Sequence, residues 1–451
     1  MLEKAIEIVD MAMKSGTDEA EVYISSSQET TIKVHHSDVE LFTTAITKGV
    51  GIRVFLGKKV GYAFTSDLTE SVLRKTVQEA IENARVSAED RFNGLPDKFA
   101  TLVEAQQELG IYYPELLTTP TERKLDFALS LEESALKFDH RIESCEEVVY
   151  ADEERTTALA NSKGFSGQTK STSCYGFLSA LARDKDETQT GYSFTVGRHL
   201  EELEGKKTAE EAGKRALSQL GARPISPRVT TVVFDPLVAA QILASLSMAI
   251  TADAAQKGRS FLSGKLGHKV ASPLVSIVDD GLLKGGLGTS PFDDEGIASR
   301  RTGVVDEGIL TTFLHSTYTA RKEGTKSTGN GRRSSFKNAP TPAPSNLFFA
   351  PGEMSGEDII SQVSTGFYVT SLQGIHAGVN PVTGQFSVGA GGLWIEGGKP
   401  SFPVREATIA STWQEILKNL VAVGSDLRFI PAGGSVGAPT IAVEKMTVGG
   451  R

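Results

Sequence analysis

Six basic side chains, Arg321, Lys322, Lys326, Arg332, Arg333 and Lys337, fall in one short stretch that holds a single acid, Glu323. On a chain of net charge −9, such a local excess either receives carboxylates and backbone carbonyls or forms a solvated loop. From Glu323 to Asn346 the only sizeable apolar side chain is Phe336, so the stretch reads as one long polar loop. Loops beyond roughly 15 residues in compact domains are usually functional or disordered. Just upstream, Asp293, Asp294 and Glu295 form an acidic trio that could bind a cation, accept a proton or simply make a turn.

Other catalytic patterns fail on spacing. None of the seven histidines (His35, His36, His140, His199, His268, His315, His376) is followed by Glu or pairs with another at helical spacing, which excludes a zincin helix. Gly433–Gly437 matches a nucleophile-elbow pattern around Ser435, but Pro439 and a strand-like run follow and no histidine lies beyond His376. Ser334 and Lys337 have a Ser-x-x-Lys spacing in a proline-rich loop. Gly285, Gly286 and Gly288 precede no Lys-Ser/Thr and no helix start. Asp279-Asp280-Gly281 after an apolar run reads as a hairpin turn. His315 at a strand end reads as a satisfied polar residue.

The elements that must position these groups can be read from caps and periodicity. Leu2, Ala5, Ile6, Val9 and Ala12 form a helical stripe. Asp67 with Glu70, and Thr208 with Glu211, have capping-box spacing. Pro120 suits a first helical position. Asp235 and Pro236 start a helix expected to end near Gly258, and Ser411 with Gln414 a last one expected to end at Gly424. Between the first two helices lie five strand-like runs (21–24, 30–34, 40–47, 51–56, 59–64). Four more (144–151, 155–161, 171–182, 189–196) follow the helix after Pro120. Both halves read helix, antiparallel meander, helix, since short connections favour antiparallel pairing. The predicted class is α+β. An N-terminal domain of duplicated helix–antiparallel meander–helix units spans residues 1–222, and a β-rich, barrel-like C-terminal domain spans 223–451, with the boundary in Ala222–Pro227.

Composition narrows the function classes. Acids outnumber bases 56 to 47, which argues against bulk nucleic-acid binding, because that rests on phosphate neutralisation. Pro236–Ile250 is uncharged but short of the ~20 residues that span a bilayer. The acids in MLEKAIEIVDMAMK argue against a signal peptide. Cys145 and Cys174 have neither disulfide-framework nor metal-site spacing. A cytoplasmic protein with no membrane partner is expected.

The stretches DDEG, LHSTYTARKEG and STGNGRR, with GVNPVTGQFSVGAGGLWIEGG further on, resemble the TldD/PmbA metalloprotease family, and the similarity runs from AEVYISSS to AVGSDL. In the TldD-like branch a His-Glu-x-x-x-His helix binds zinc. Counting back from Gly258–Gly264, its histidine positions fall near Leu243 and Met248 and its glutamate near Ala244, and Ile242–Ile250 holds no metal-binding side chain. The resemblance is therefore to the PmbA (TldE) branch. It implies a subunit without its own cofactor and not catalytic alone, a TldD-like partner carrying the zinc, and an unfolded peptide substrate. Arg321, Lys322, Asn330, Arg332, Arg333, Asp293, Asp294 and Glu295 are the candidate peptide-binding residues. A dimer centred on the C-terminal domain is expected. The alternatives are a metal-independent peptide-binding or chaperone-like homodimer, and a metal-independent hydrolase using the acidic trio and the basic loop.

Overall fold

A computed structural model describes residues 1–100 and 106–450. Helix α1 (Leu2–Lys14) buries Ala5, Ile8, Val9 and Ala12. Strands β1 (Glu19–His35), β2 (Asp38–Leu56) and β3 (Lys59–Thr65) follow, then α2 (Glu70–Val86). The five expected runs are three strands, because polar stretches such as Ser25–Glu29 continue the ladder without a break. The second unit repeats the order: α3 (Thr121–Phe138), β4 (Ile142–Asn161), β5 (Ser166–Asp184), β6 (Glu187–Gly197) and α4 (Gly205–Leu217). β1 pairs with β4, which joins the units into one antiparallel sheet, β3-β2-β1-β4-β5-β6. Two apolar cores lie under the two pairs of helices.

The duplication extends to packing detail. A Cβ on Gly61 of β3 would stand 1.9 Å from the Ala80 carbonyl oxygen of α2, and one on Gly191 of β6 would stand 2.2 Å from the Ala216 nitrogen of α4. At both places the closing helix lies directly on the strand backbone, and only glycine leaves room. The capping readings need correction. Asp67 accepts from the Thr69 N–H, but α2 begins at Glu70 without a side-chain cap. Thr208 lies inside α4, where its hydroxyl donates back to the Glu204 carbonyl. A Thr and an acid three residues apart also share a helix face, so the spacing alone does not mark a terminus. Pro120 sits one residue before the helix it was expected to begin.

Beyond Pro227 come β7 (Arg228–Phe234), α5 (Pro236–Leu246), β8 (Ile277–Asp280), β9 (Arg301–Asp306), β10 (Ile309–Leu310), α6 (Thr317–Glu323) and β11 (Asn346–Phe349). Next are β12 (Thr365–Gln373), β13 (Gln385–Glu396), β14 (Lys399–Thr412), α7 (Trp413–Lys418), β15 (Leu420–Val423), β16 (Arg428–Pro431), β17 (Ser435–Ala438) and β18 (Ile441–Gly449). Strands β14-β13-β12-β7-β18 close into a barrel through β14–β18 pairing at Thr408–Ala410, and β15 adds to β18. Strands β10-β9-β8-β11-β17-β16 form a half-barrel. The α+β class with a barrel-like C-terminal domain is therefore present.

Helix α5 lies between barrel and half-barrel and is buried along nearly its whole length, as a helix apolar on every side must be. Asp235 caps it by accepting from the Leu237 N–H at 2.9 Å. It ends at Leu246, well short of Gly258, and α7 is capped by Thr412 and ends before Gly424 because Leu420–Val423 joins the barrel. Asp279 and Asp280 are within β8, Asp279 paired on both sides and Asp280 with Arg301 of β9, and do not form a hairpin turn. Ser435 lies in β17, its hydroxyl bonded to Asn346 Oδ1, so there is no strained nucleophile turn.

Candidate functional site

The sheet and the half-barrel meet through an apolar cluster in which Leu159 packs with the rings of Tyr23, Phe165, Phe292 and Phe336. Beside it runs a buried ionic chain. Glu21 of β1, completely buried, accepts from Arg53 Nη2 at 2.9 Å and is also bound by Arg333 Nη2. Arg53 reaches Glu295 Oε1 at 3.4 Å, while Glu295 Oε2 accepts from the Thr317 N–H at the start of α6 at 2.7 Å. Such a chain holds only while every member is present, because removing one leaves a buried uncompensated charge.

The acidic trio is the keel of this junction. Asp293 accepts from the Glu295, Ile297 and Gly331 N–H groups at 2.8–3.0 Å. Burial, and then the nearby Glu295, push its carboxyl above the usual carboxylate range. Asp294 accepts from the Arg333 N–H at 2.7 Å. Burial raises its carboxyl too, against the opposing pull of Arg332 and Arg333.

The polar loop expected after Glu323 is not a solvated one. Thr328, Asn330 and Phe336 are buried, and Gly331–Arg332 pairs with Thr341–Pro342. Asn330 donates to Asp279 Oδ2 at 2.6 Å, and Asp279 Oδ1 accepts from the Ser345 N–H. The loop's lack of apolar residues is met by polar partners inside the interface, a match that no local pattern announces. Arg321 is committed to the Gly94 and Leu95 carbonyls and to Asp97. Lys322 is exposed on α6.

A cavity of about 520 Å³ opens between sheet and half-barrel. Of the eight predicted site residues it gathers Asp294, Arg332 and Arg333, and leaves Arg321, Lys322, Asn330, Asp293 and Glu295 outside. Sequence reasoning missed the sheet's contribution: Tyr23 from β1, Arg155 from β4, and Lys170, Ser171 and Ser173 from β5. Only the inward-facing parity of those strands could have indicated Tyr23, Arg155, Ser171 and Ser173; Lys170 has the opposite parity and turns its ammonium to Glu154, at 3.9 Å, and to the Tyr112 ring. Arg332 Nη2 donates to Ser345 Oγ at 2.9 Å and to the Gly288 carbonyl at 3.2 Å, and its Nη1 bonds no described residue. Burial holds the Tyr23 phenol far above its ordinary value, so it stays a neutral hydroxyl. Arg155 is held by Glu153 at 2.8 Å. The arrangement offers guanidinium and hydroxyl donors, with Asp294 as an acceptor, to an extended polar ligand.

The residues present do not fit a zinc ion at the position the resemblance suggests. Leu243 is fully buried among apolar side chains, Ala244 carries no donor, and Met248 is 60% exposed in the turn after α5. Among the described residues no three His, Cys, Asp or Glu side chains converge. Both thiols are pushed up to about 12 by burial, which disfavours the thiolate that binds metal.

The class so defined is structural: a duplicated α+β domain set against a barrel and half-barrel, with a polar cavity at the seam. Models of the PmbA/TldA metallopeptidase domain 1, central domain and C-terminal domain match residues 20–84, 114–220 and 227–450. The chain belongs to the TldD/PmbA family. It is 28% identical to Escherichia coli metalloprotease PmbA, over 95% of this chain and 92% of that one. It is 29% identical to the Haemophilus influenzae PmbA homologue, over 98% and 94%. A Thermotoga maritima structure, a candidate modulator of a DNA gyrase, superposes with a TM-score of 0.89 at 29% identity and 99% coverage of both chains. TldE from Thermococcus kodakarensis shares the fold, with a TM-score of 0.87 at 23% identity and 99% and 100% coverage.

Proposed function

We propose that this protein is the PmbA-like, non-catalytic subunit of a TldD/PmbA-type metalloprotease that acts on unfolded peptides in the cytoplasm. A TldD-like partner would carry the zinc, whose bound water attacks the peptide carbonyl. This chain would bind and orient the substrate. The observation that carries the reading is the seam cavity, where β1, β4 and β5 supply Tyr23, Arg155 and Ser171 opposite Arg332 and Asp294. Identity of 29% to the Haemophilus influenzae PmbA homologue, against 25% to the TldD homologue of the same organism, supports the branch. Among the described residues no helix is long and apolar enough to cross a membrane, which agrees with a cytoplasmic site of action.

The chemistry assigned to this chain is positioning. Arg332 and Arg155 would neutralise carboxylates and polarise carbonyls of an extended peptide, Tyr23 would donate a hydrogen bond, and Asp294 would accept from a peptide N–H. The test is elemental analysis with a peptide-cleavage assay, each with and without a TldD-like protein. No stoichiometric zinc, no cleavage alone and accelerated cleavage in the mixture are expected. Cleavage by this chain alone, abolished by substituting Asp294, would instead establish a self-sufficient hydrolase.

A further inference from the structure

The seam cavity is basic on a chain that is acidic overall. Its walls carry Arg155, Lys170, Arg198, Arg332 and Arg333 against Glu153 and Asp294, while the whole chain has net charge −9. Three of these bases are already matched: Arg333 by Glu21, Arg155 by Glu153 at 2.8 Å, and Lys170 by Glu154 at 3.9 Å. Arg198 and Arg332 are left with no ion pair among the described residues; every bond their guanidinium groups make is to a carbonyl or a hydroxyl. Arg198 is 3% exposed and donates Nε to the Gly285 carbonyl at 3.1 Å, Nη1 to the Thr172 carbonyl at 2.8 Å and Nη2 to the Gly286 carbonyl. Carbonyls satisfy its donors without cancelling its charge, and burial, only partly relieved by Glu202, draws its pKa down to about 10. Arg332 holds Gly288 of the same loop, and its Nη1 and buried Nε bond no described residue. Burial raises the Asp279, Asp293 and Asp294 carboxyls near Arg332, which lessens the negative charge set against it.

We propose that this cavity takes a carboxylate carried by an unfolded peptide, bonded by Arg332 through its open Nη1 and stabilised by the unpaired charge of Arg198. Given the reading of the cavity as a peptide site, on which this assignment rests, the substrate class becomes peptide segments that carry an acidic side chain or end at a free α-carboxylate. The volume suits a short stretch of chain, since about 520 Å³ lies inside the roughly 300–1,000 Å³ range of ligand pockets. The charge balance suits a monoanion. A single carboxylate offsets the unpaired cations, whereas Glu153 and Asp294 on the same walls oppose the second charge of a phosphate. The planar guanidinium also matches a carboxylate in shape, which an ammonium does not. Glycine has a part in bringing the two arginines to one loop. A Cβ on Gly288 would stand 2.1 Å from the Ser345 carbonyl oxygen, so only glycine lets the loop pass close enough for Arg198 and Arg332 both to grip it.

The experiment measures binding by calorimetry on the full chain, without a partner. Its probes are an acetylated and amidated pentapeptide with a central glutamate, the same peptide with glutamine, and the glutamine peptide with a free C-terminal carboxylate. One or both carboxylate peptides should bind about ten-fold more tightly than the neutral one, and which of them does so identifies the source of the carboxylate. Arg332→Gln should remove the preference, and Arg332→Lys should keep part of it. Lys326→Gln, at an exposed base outside the cavity, should leave it intact. Melting temperature verifies that each variant is folded in the assay. Cleavage in a mixture with a TldD-like protein tests the peptidase reading separately, because the binding measurement involves no cleavage. Equal affinity for the three peptides, no binding of any, a preference that survives Arg332→Gln, or inorganic phosphate bound more tightly than the glutamate peptide would overturn the proposal.

Discussion

At the residue scale, the structure separates two arginines that are adjacent in sequence. Arg333, with its side chain 1% exposed, completes the ion chain through Glu21, Arg53 and Glu295. Arg333→Gln is expected to cost about 3–5 kcal/mol, because it strands Glu21 in the interior. Denaturant unfolding measures this loss, and the double variant with Glu21→Gln should recover part of it. Arg332, which lines the cavity, bonds Ser345 and the Gly288 carbonyl through Nη2, and its Nη1 bonds no described residue. Arg332→Gln should cost less than Arg333→Gln but more than loss of a surface arginine, because Arg332 also offsets the buried Asp279, Asp293 and Asp294 carboxyls, and should weaken peptide binding roughly ten-fold, the loss of one charge-assisted hydrogen bond. Fluorescence anisotropy with a labelled unfolded peptide reads the second effect. The candidate site was half legible: the local charge excess singled out Arg332, Arg333 and Asp294. What charge counting could not reveal is that Asp293 and Glu295 spend their oxygens on backbone N–H groups and Arg53. Nor could it show that Tyr23 and Arg155 reach the same space from strands more than a hundred residues apart.

At the scale of elements, the repeat was legible because helix and strand periods recur in one order. Its strongest sign lies in GYAFT (61–65) and GYSFT (191–195), each placing glycine beneath the closing helix. Gly61→Val and Gly191→Val should each destabilise the chain by about 1–3 kcal/mol, since helix backbone cannot yield as a side chain can. Urea titration of the two variants is the check, and similar losses would reflect the shared geometry. Strand lengths were misread because polar residues such as Ser25–Ser27 interrupt the apolar pattern without interrupting the ladder. Helix α4 also joins the domains: Glu211 binds Arg428 at 2.6 Å, and Arg215 binds Asp235 at 2.9 Å. Burial would raise the Glu211 carboxyl, but Arg428, Arg215 and the Ser193 hydroxyl outweigh it and hold it at about 2. Its folded value lies below the ~4.3 of a free glutamate. The contribution, on the order of 3 kcal/mol, is complete above pH ~4.3 and lost as pH falls towards 2. Unfolding free energies across that window should decline more steeply for the parent chain than for Glu211→Gln.

At the scale of the molecule, the two domains differ in how far apart their partners lie along the chain. The N-terminal sheet is built largely from neighbouring hairpins, with β1–β4 as its one long-range seam. The barrel instead needs β18 between β7 and β14, and β7 begins more than two hundred residues earlier in sequence. Pairings that close such long loops form slowly, and composition and caps foretold the barrel-like class without foretelling this wiring.

That wiring sets an order of events during synthesis. The first domain can acquire its fold while the ribosome is still translating the second, since all its strands have emerged once β6 has. Strand β7 must wait with one flank bare until residues 441–449 leave the exit tunnel, and α5 has no finished enclosure in the meantime. A nascent chain arrested after residue 440 should show a protease-resistant first domain and a digestible second one. Release of the full sequence should protect both, leaving the newborn barrel half as the stage at which a chaperone would be most needed.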